Sequence, residues 1–292
     1  PYVAARLKEL QSSDNRVVVY SRSENGGIVK ASNDALSLAT GDFIVLLDND
    51  DELNPQALAE VAAEIERNPF VDYIYTDEDK ITVDGVHYEE FKKPKWSPER
   101  LLAQNYCSHL SVIRRDLVNK VGRFRQGFEG SQDYDLVLRV VENTSQISHI
   151  PKVLYHWRSV PGSTASGAQA KPYAFTSAKK AVAEHFERKN VGATVEGFDA
   201  LSLTRIKRDL HYLPKVSIVI PTCGTKKPLF GIDTCLVLNA VESIEQKTSY
   251  QNFEIIVVVD TNTPEEVTAE LQRVSPTRLK IVQYDKKFNF SD

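Results

Sequence analysis

The chain has 292 residues, 41% hydrophobic and 26% charged, with a formal charge of −4 and a pI near 6.0. That length holds one large domain or two modest ones, and the composition excludes a disordered tail, a collagen-like rod and a disulfide-stapled miniprotein. The slight acidity gives no general attraction to nucleic acid or anionic lipid, and there is no long basic run.

Strand and helix signals alternate from the start. Residues 16–20 (RVVVY) predict a strand, residues 24–27 a turn, and Ala31, Ala35, Leu36 and Ala39 recur at the helical period. Residues 43–47 (FIVLL) are apolar on both faces, as in a strand inside a parallel sheet, and end in Asp48-Asn49-Asp50-Asp51. A helix is expected over 54–67, capped by Asn54 with Pro55 at its first position, then a strand over 71–75 and a hairpin turn at Asp84-Gly85. Next come a helix near 98–103, a strand near 110–113 and a helix over 133–141. Residues 163–171 read as a flexible loop, 173–189 as a helix and 205–213 as a linker. The pattern restarts at Lys215 with strands over 216–220, 254–259 and 279–283 and helices between them. The expected organisation is therefore a domain over 1–204, a linker over 205–214 and a partial α/β unit over 215–292.

Three cysteines, Cys107, Cys223 and Cys235, are too few for a disulfide framework and lack metal-ligand spacing, which points to a reducing compartment. No apolar stretch approaches the ~20 residues of a membrane helix, and the N-terminus has no signal-peptide pattern. The lack of methionine and the opening at Pro1, inside an apparent helix, read as a piece of a longer chain.

Two acidic motifs could carry chemistry. Asp48 to Asp51 sit at the carboxyl end of a strand, where open α/β sheets bind ligands and where carboxylates can hold a hard divalent cation against a phosphate. The same quartet also suits a solvated turn capping the next helix. In Glu129-Gly130-Ser131-Gln132-Asp133-Tyr134-Asp135, Asp133 falls in a first helical turn, placed either as general base beside a hydroxyl or as a carboxylate satisfying free helix amides. Residues 76–80 (TDEDK) follow a strand and either line a pocket or, as such runs usually do, form a charged loop, and His149 and His156 read as isolated histidines. Dinucleotide, Walker, nucleophile-elbow and zinc patterns are absent, which removes the common dehydrogenase, NTPase, hydrolase and metalloprotease readings.

Together, Asn25-Gly26-Gly27, Ala31-Ser32-Asn33, residues 39–42 (ATGD), 46–52 (LLDNDDE) and 130–136 (GSQDYDL) resemble the family-two inverting glycosyltransferases of GT-A fold. Residues 75–80, 91–98, 104–106 and 149–158 resemble the bacterial branch that builds surface polysaccharides. The resemblance implies an α/β fold with a mixed, mostly parallel sheet flanked by helices, plus the second partial unit. It implies Mg²⁺ or Mn²⁺ on Asp50 and His156, nucleotide contacts at Asp48 and Asn33, and Asp133 as base. Asn105, Tyr106, His109 and Arg158 would face the acceptor, with Tyr155, His156 and Arg158 in a late motif near the diphosphate. Gln132 stands where many relatives carry an acid.

Implied partners are a nucleotide-diphosphate sugar donor and a saccharide or lipid-linked acceptor, with no nucleic acid, in the cytoplasm or at the inner membrane face. The family's opening nucleotide-binding strands do not precede Pro1 and resemble instead 216–222 and 255–260, where Thr222 and Asp260 match nucleotide-contacting positions. Either the chain is a slice of a tandem enzyme, or these strands join the sheet of residues 43–47 to complete one permuted site. An aspartyl-phosphate phosphatase fits less well, because its motif continues with Thr or Val where this chain has Asp51-Glu52. A sugar-binding module that keeps the fold without turnover is the alternative outside catalysis.

Overall fold

A computed structural model describes residues 2–160, 172–198 and 203–285, which divide into two units, residues 1–209 and 210–292. In the first, α1 (Tyr2–Ser13) is exposed throughout, and α2 (Gly27–Leu38) buries Val29 and Leu36. Then follow β1 (Phe43–Val45), β2 (Glu52–Leu53), α3 (Ala57–Arg67), β3 (Tyr73–Ile81), β4 (His87–Phe91), α4 (Pro98–Ala103), β5 (Ser111–Arg114) and α5 (Arg115–Lys120). After these come α6 (Gln132–Val141), β6 (Ile147–Arg158), α7 (Pro172–Arg188), β7 (Ala193–Phe198) and β8 (Leu203–Arg208).

The main sheet is mixed, in the order β1-β5-β3-β6-β2 with β4 also on β3. Its most extensive pairing, β3 with β6, is parallel, and the others are antiparallel. Successive residues of β3 point to opposite faces. Tyr73 and Tyr75 enter one apolar cluster with Leu36, Leu101, Leu136 and Val182, while Ile74 enters another with Ala57, Val61 and Leu154.

In the second unit, β9 (Val216–Thr222) precedes the hairpin of β10 (Lys226–Leu229) and β11 (Ile232–Cys235). Next come α8 (Leu236–Lys247), β12 (Phe253–Val259), α9 (Glu265–Val274) and β13 (Leu279–Gln283). A parallel sheet, β13-β12-β9, buries alternate residues of β12 against Val237, Val241, Val267 and Leu271.

Several expectations are corrected. Residues 16–20 form no strand, because no described strand pairs with them, and Val18 and Tyr20 are exposed. β1 is an edge strand antiparallel to β5, and it is apolar on both sides because Ile44 meets one cluster while Phe43 and Val45 meet the other. Asn54 makes a turn, accepting from the Gln56 amide at 3.0 Å, and α3 starts at Ala57. Residues 76–80 belong to β3, with Asp77, Glu78 and Asp79 buried. Residues 203–208 form β8, where Thr204 is buried and bonds the Leu102 carbonyl, so the expected linker is strand up to Arg208. β9 and β12 pair with each other, and β12 with β13, in a three-stranded sheet of the second unit. The expected loop at 163–171 lies outside the described residues.

Candidate functional site

Beyond β1 the chain turns through Asp48 to Asp51 and returns as β2, paired with the end of β6. Two β6 residues hold that turn. The buried Tyr155 hydroxyl donates to Asp51 Oδ2 at 2.5 Å and accepts from the Asp48 amide at 3.2 Å. The Arg158 amide donates to Asp51 Oδ1 at 2.7 Å, while its guanidinium bonds the Asp50 and Thr82 carbonyls at 2.7 and 3.1 Å and pairs with Glu52. Burial raises the Asp51 pKa, against the opposing hydrogen bonds from Tyr155 and Arg158. Asp51 is thus spent on shaping the turn, whereas Asp48 and Asp50 are exposed and the quartet caps no helix.

A second carboxylate is fixed by the start of α6. Gly130 has φ +83°, and a Cβ there would stand 2.7 Å from the Tyr173 ring and 2.8 Å from Ala174 Cβ, so α7 packs this closely only on glycine. Ser131 Oγ donates to the Ala174 carbonyl at 2.8 Å. Asp133, in the first turn of α6, accepts from Asn105 Nδ2 at 3.0 Å, its only hydrogen-bond partner among the described residues. It therefore does not cap the helix amides. Asn105 Oδ1 is buried without a partner, a polar atom left over for a ligand. The neighbouring Asp135, fully buried between Arg125 and Arg139, is structural.

Asp48 and Asp133 line one cavity of about 1300 Å³ within the first unit, together with Asn105, His109, Glu78 and Trp157. The ring of His109 stacks on Tyr155 at 4.5 Å and 10°. Its Nδ1 lies 3.3 Å from Glu78 Oε2, which also takes a 2.9 Å bond from the buried Lys93 ammonium. Burial penalises the Glu78 charge, but Lys93 and His109 outweigh it and bring its pKa down to about 2. Burial likewise opposes charge on His109, yet Glu78 leaves its pKa raised. Lys93 carries no sequence signal of this role, which exists only once Glu78 is buried beside it.

Other expected residues sit elsewhere. Asn33 spends its carboxamide on the Phe124 backbone, at 2.9 and 3.1 Å. Tyr106 is a correction: it is 1% exposed in the core, edge-on to Tyr75, with its hydroxyl accepting from the Ser97 amide, so it cannot face an acceptor. Arg158 serves the acidic turn. His156 Nδ1 lies 2.6 Å from Asp79 Oδ1, and His156 pairs cross-strand with Glu52. Thr222 and Asp260 belong to the second unit, where Thr222 Oγ1 accepts from the Gly224 amide and Asp260 binds Asn262 and Thr263.

Among the described residues, two groups bring together side chains able to hold a metal: Asp48, Asp51 and His109, and Asp79, His87 and His156. The first, on the turn whose sequence also includes Asp50, has two carboxylates among its three groups, and carboxylate oxygen suits Mg²⁺ or Mn²⁺.

Residues 2–122 match the family described as Glycosyl transferase family 2. The chain is 39% identical over 297 residues to the protein y4gI of Sinorhizobium fredii, a match covering 100% of this chain and 32% of that one. It is 33% identical over 290 residues to the O-antigen biosynthesis protein RfbC of Myxococcus xanthus, covering 99% of this chain and 22% of that one. The chain thus spans a third or less of these relatives. The crystal structure of S. aureus TarS 1–349 in complex with UDP-GlcNAc is similar at 21% identity and a TM-score of 0.48, over 62% of this chain and 54% of that one.

Proposed function

We propose, from the match of residues 2–122 to glycosyl transferase family 2, that the first unit belongs to that family and transfers a sugar, with inversion, from a nucleoside-diphosphate donor to a saccharide or lipid-linked hydroxyl in bacterial surface-polysaccharide synthesis. The carrying observation is that Asp48 and Asp133 line the same cavity. The similarity to an O-antigen biosynthesis protein supports the polysaccharide assignment.

In this reading Asp133 removes the proton of the acceptor hydroxyl as its oxygen bonds to the anomeric carbon, on the face opposite the departing diphosphate. The carbon–oxygen bond to the diphosphate breaks, and the anomeric configuration inverts. Asn105, bonded to Asp133, holds the carboxylate in place. Asp48 and Asp50 would hold a divalent cation, which supplies positive charge against the diphosphate. Tyr155 and Arg158 keep that acidic turn in its shape.

Residues 215–292 read as the nucleotide-binding half of a second, tandem domain. In support, β9 and β12 are parallel and end side by side at Thr222 and Val259, just before Asp260. A cytoplasmic enzyme, reaching the inner membrane face through its acceptor, suits a nucleotide-sugar donor. No helix among the described residues is long and apolar enough to cross a membrane.

The test follows nucleoside-diphosphate release from a panel of nucleotide-sugars with Mn²⁺ and oligosaccharide acceptors. Acceptor-dependent release that Asp133→Asn abolishes, with nucleotide binding kept, is the expected result. Equal release by that variant would refute the assignment, and binding without release by the wild type would favour a module without turnover.

A further inference from the structure

The wall of the cavity beside Asp133 is built by two elements clamped together. The first turn of α7 is tied to the residues before α6 at two points. Ser131 Oγ donates to the Ala174 carbonyl at 2.8 Å, and Ser177 Oγ donates to the Glu129 carbonyl at 3.0 Å. The ring of Tyr173 rests on Gly130 itself, where a Cβ would come within 2.7 Å of it. Tyr173 lines the same cavity as Asp133. It is nevertheless 54% exposed, so the contact with Gly130 holds the ring without covering it.

We propose, on the reading of the first unit as a transferase with Asp133 as base, that Tyr173 is the platform on which the acceptor stacks and that this acceptor is an uncharged pyranose. An aromatic ring presents a negatively polarised face. The C–H groups on one side of a pyranose are positively polarised and apolar, so they match that face. Gly130 stands three residues before Asp133, and the ring is held against it. A sugar laid on Tyr173 is thereby kept next to the base, with its hydroxyl oriented before the transfer step begins.

Charge selects the kind of sugar. Residues 129–134 with Tyr173, Ala174 and Phe175 bring Glu129 and Asp133 to this wall of the cavity, and no lysine or arginine. A uronic acid or a phosphosugar laid there would face two carboxylates without a cation, a juxtaposition that penalises binding. Recognition must then come from stacking and from hydrogen bonds to hydroxyls, which a neutral pyranose supplies. The diphosphate of the donor has a different place, at the acidic turn, where a cation would offset its charge.

The probes are the methyl glycosides of glucose, galactose, mannose and rhamnose, with methyl glucuronide as the charged counterpart, offered to the full chain with Mn²⁺ and a panel of nucleotide-sugars. Transfer to at least one neutral glycoside is expected, and none to the glucuronide. Tyr173→Ala should raise the acceptor KM about tenfold or more, while kcat and nucleotide affinity change by less than about threefold. Tyr173→Phe, which keeps the ring, should recover the wild-type KM. A ring that only braced α7 would instead lower kcat and melting temperature together. An unchanged acceptor KM in Tyr173→Ala, an equal loss in Tyr173→Phe, a fall in nucleotide affinity, or use of the glucuronide would overturn the proposal, while Asp133-dependent transfer would still uphold the transferase reading. No transfer to any neutral glycoside would overturn it as well, and the transferase reading would then stand only if Asp133-dependent release persisted with the oligosaccharide acceptors.

Discussion

Tyr155 donates its hydroxyl to Asp51 at 2.5 Å across a sequence separation of 104 residues. The same oxygen accepts from the Asp48 amide, so one side chain of β6 fixes both ends of the acidic turn. Tyr155→Phe keeps the ring stacked on His109 and removes only these two bonds. Losing them is worth about 1–1.5 kcal/mol, so Mn²⁺-dependent nucleotide affinity should fall roughly five- to tenfold with little change in melting temperature. Calorimetry beside thermal unfolding checks this, and a large melting shift at unchanged affinity would count against it.

Asp133 and Asn105 should separate kinetically. Asp133→Asn removes the proposed base and should lower kcat by about 10²–10⁴. Asn105→Ala leaves that carboxylate in place without its 3.0 Å partner, and should lower kcat by far less while retaining the wild-type pH profile. Steady-state rates across pH for both variants provide the check.

Lys93 and Glu78 form a buried pair, with side chains 0% and 9% exposed. Lys93→Met leaves the Glu78 charge facing His109 alone and should destabilise the first unit by about 3–5 kcal/mol. The double variant Lys93→Met, Glu78→Gln should recover a large part of that, because the uncompensated charge is gone. Denaturant unfolding of the three chains measures the coupling.

Glu142 joins the end of α6 to α7 through His185 and Arg188, each at 2.7 Å. Burial opposes its charge, but these partners outweigh the burial and lower its pKa from 4.5 to about 2. A carboxyl with a lowered folded pKa stabilises fully above its unfolded value, and that contribution fades as pH falls from near 4.5 toward 2. Glu142→Gln should cost about 1–3 kcal/mol at neutral pH and flatten the stability profile over that acid window. Urea midpoints at several pH values test both statements.

Much of this architecture was legible in the residues, and the failures have physical reasons. Residues 133–141 and 173–189 carry helical periodicity and residues 254–259 are a β-branched apolar run, so local pattern placed α6, α7 and β12 almost to the residue. The run 76–80 looks like a loop because three acids in five residues are costly to bury. It is a central strand because side chains from outside the run, His149, Lys93, His109, His156 and His87, partner those acids. Residues 16–20 have strand composition and no partner, and pairing is not a local property. At the site, sequence singled out Asp48, Asp50 and Asp133 as acids at element ends. It did not separate Asp51 as a structural latch, and it placed Tyr106 toward an acceptor although the core holds it.

The most direct measurement is calorimetric titration of the chain with UDP, GDP, CDP and dTDP, with and without Mn²⁺, in the wild type and in Asp50→Ala. The account predicts that at least one nucleotide binds only with Mn²⁺ and that Asp50→Ala abolishes this binding. Binding indifferent to Mn²⁺ and to Asp50, or no binding by any of the four, would contradict it.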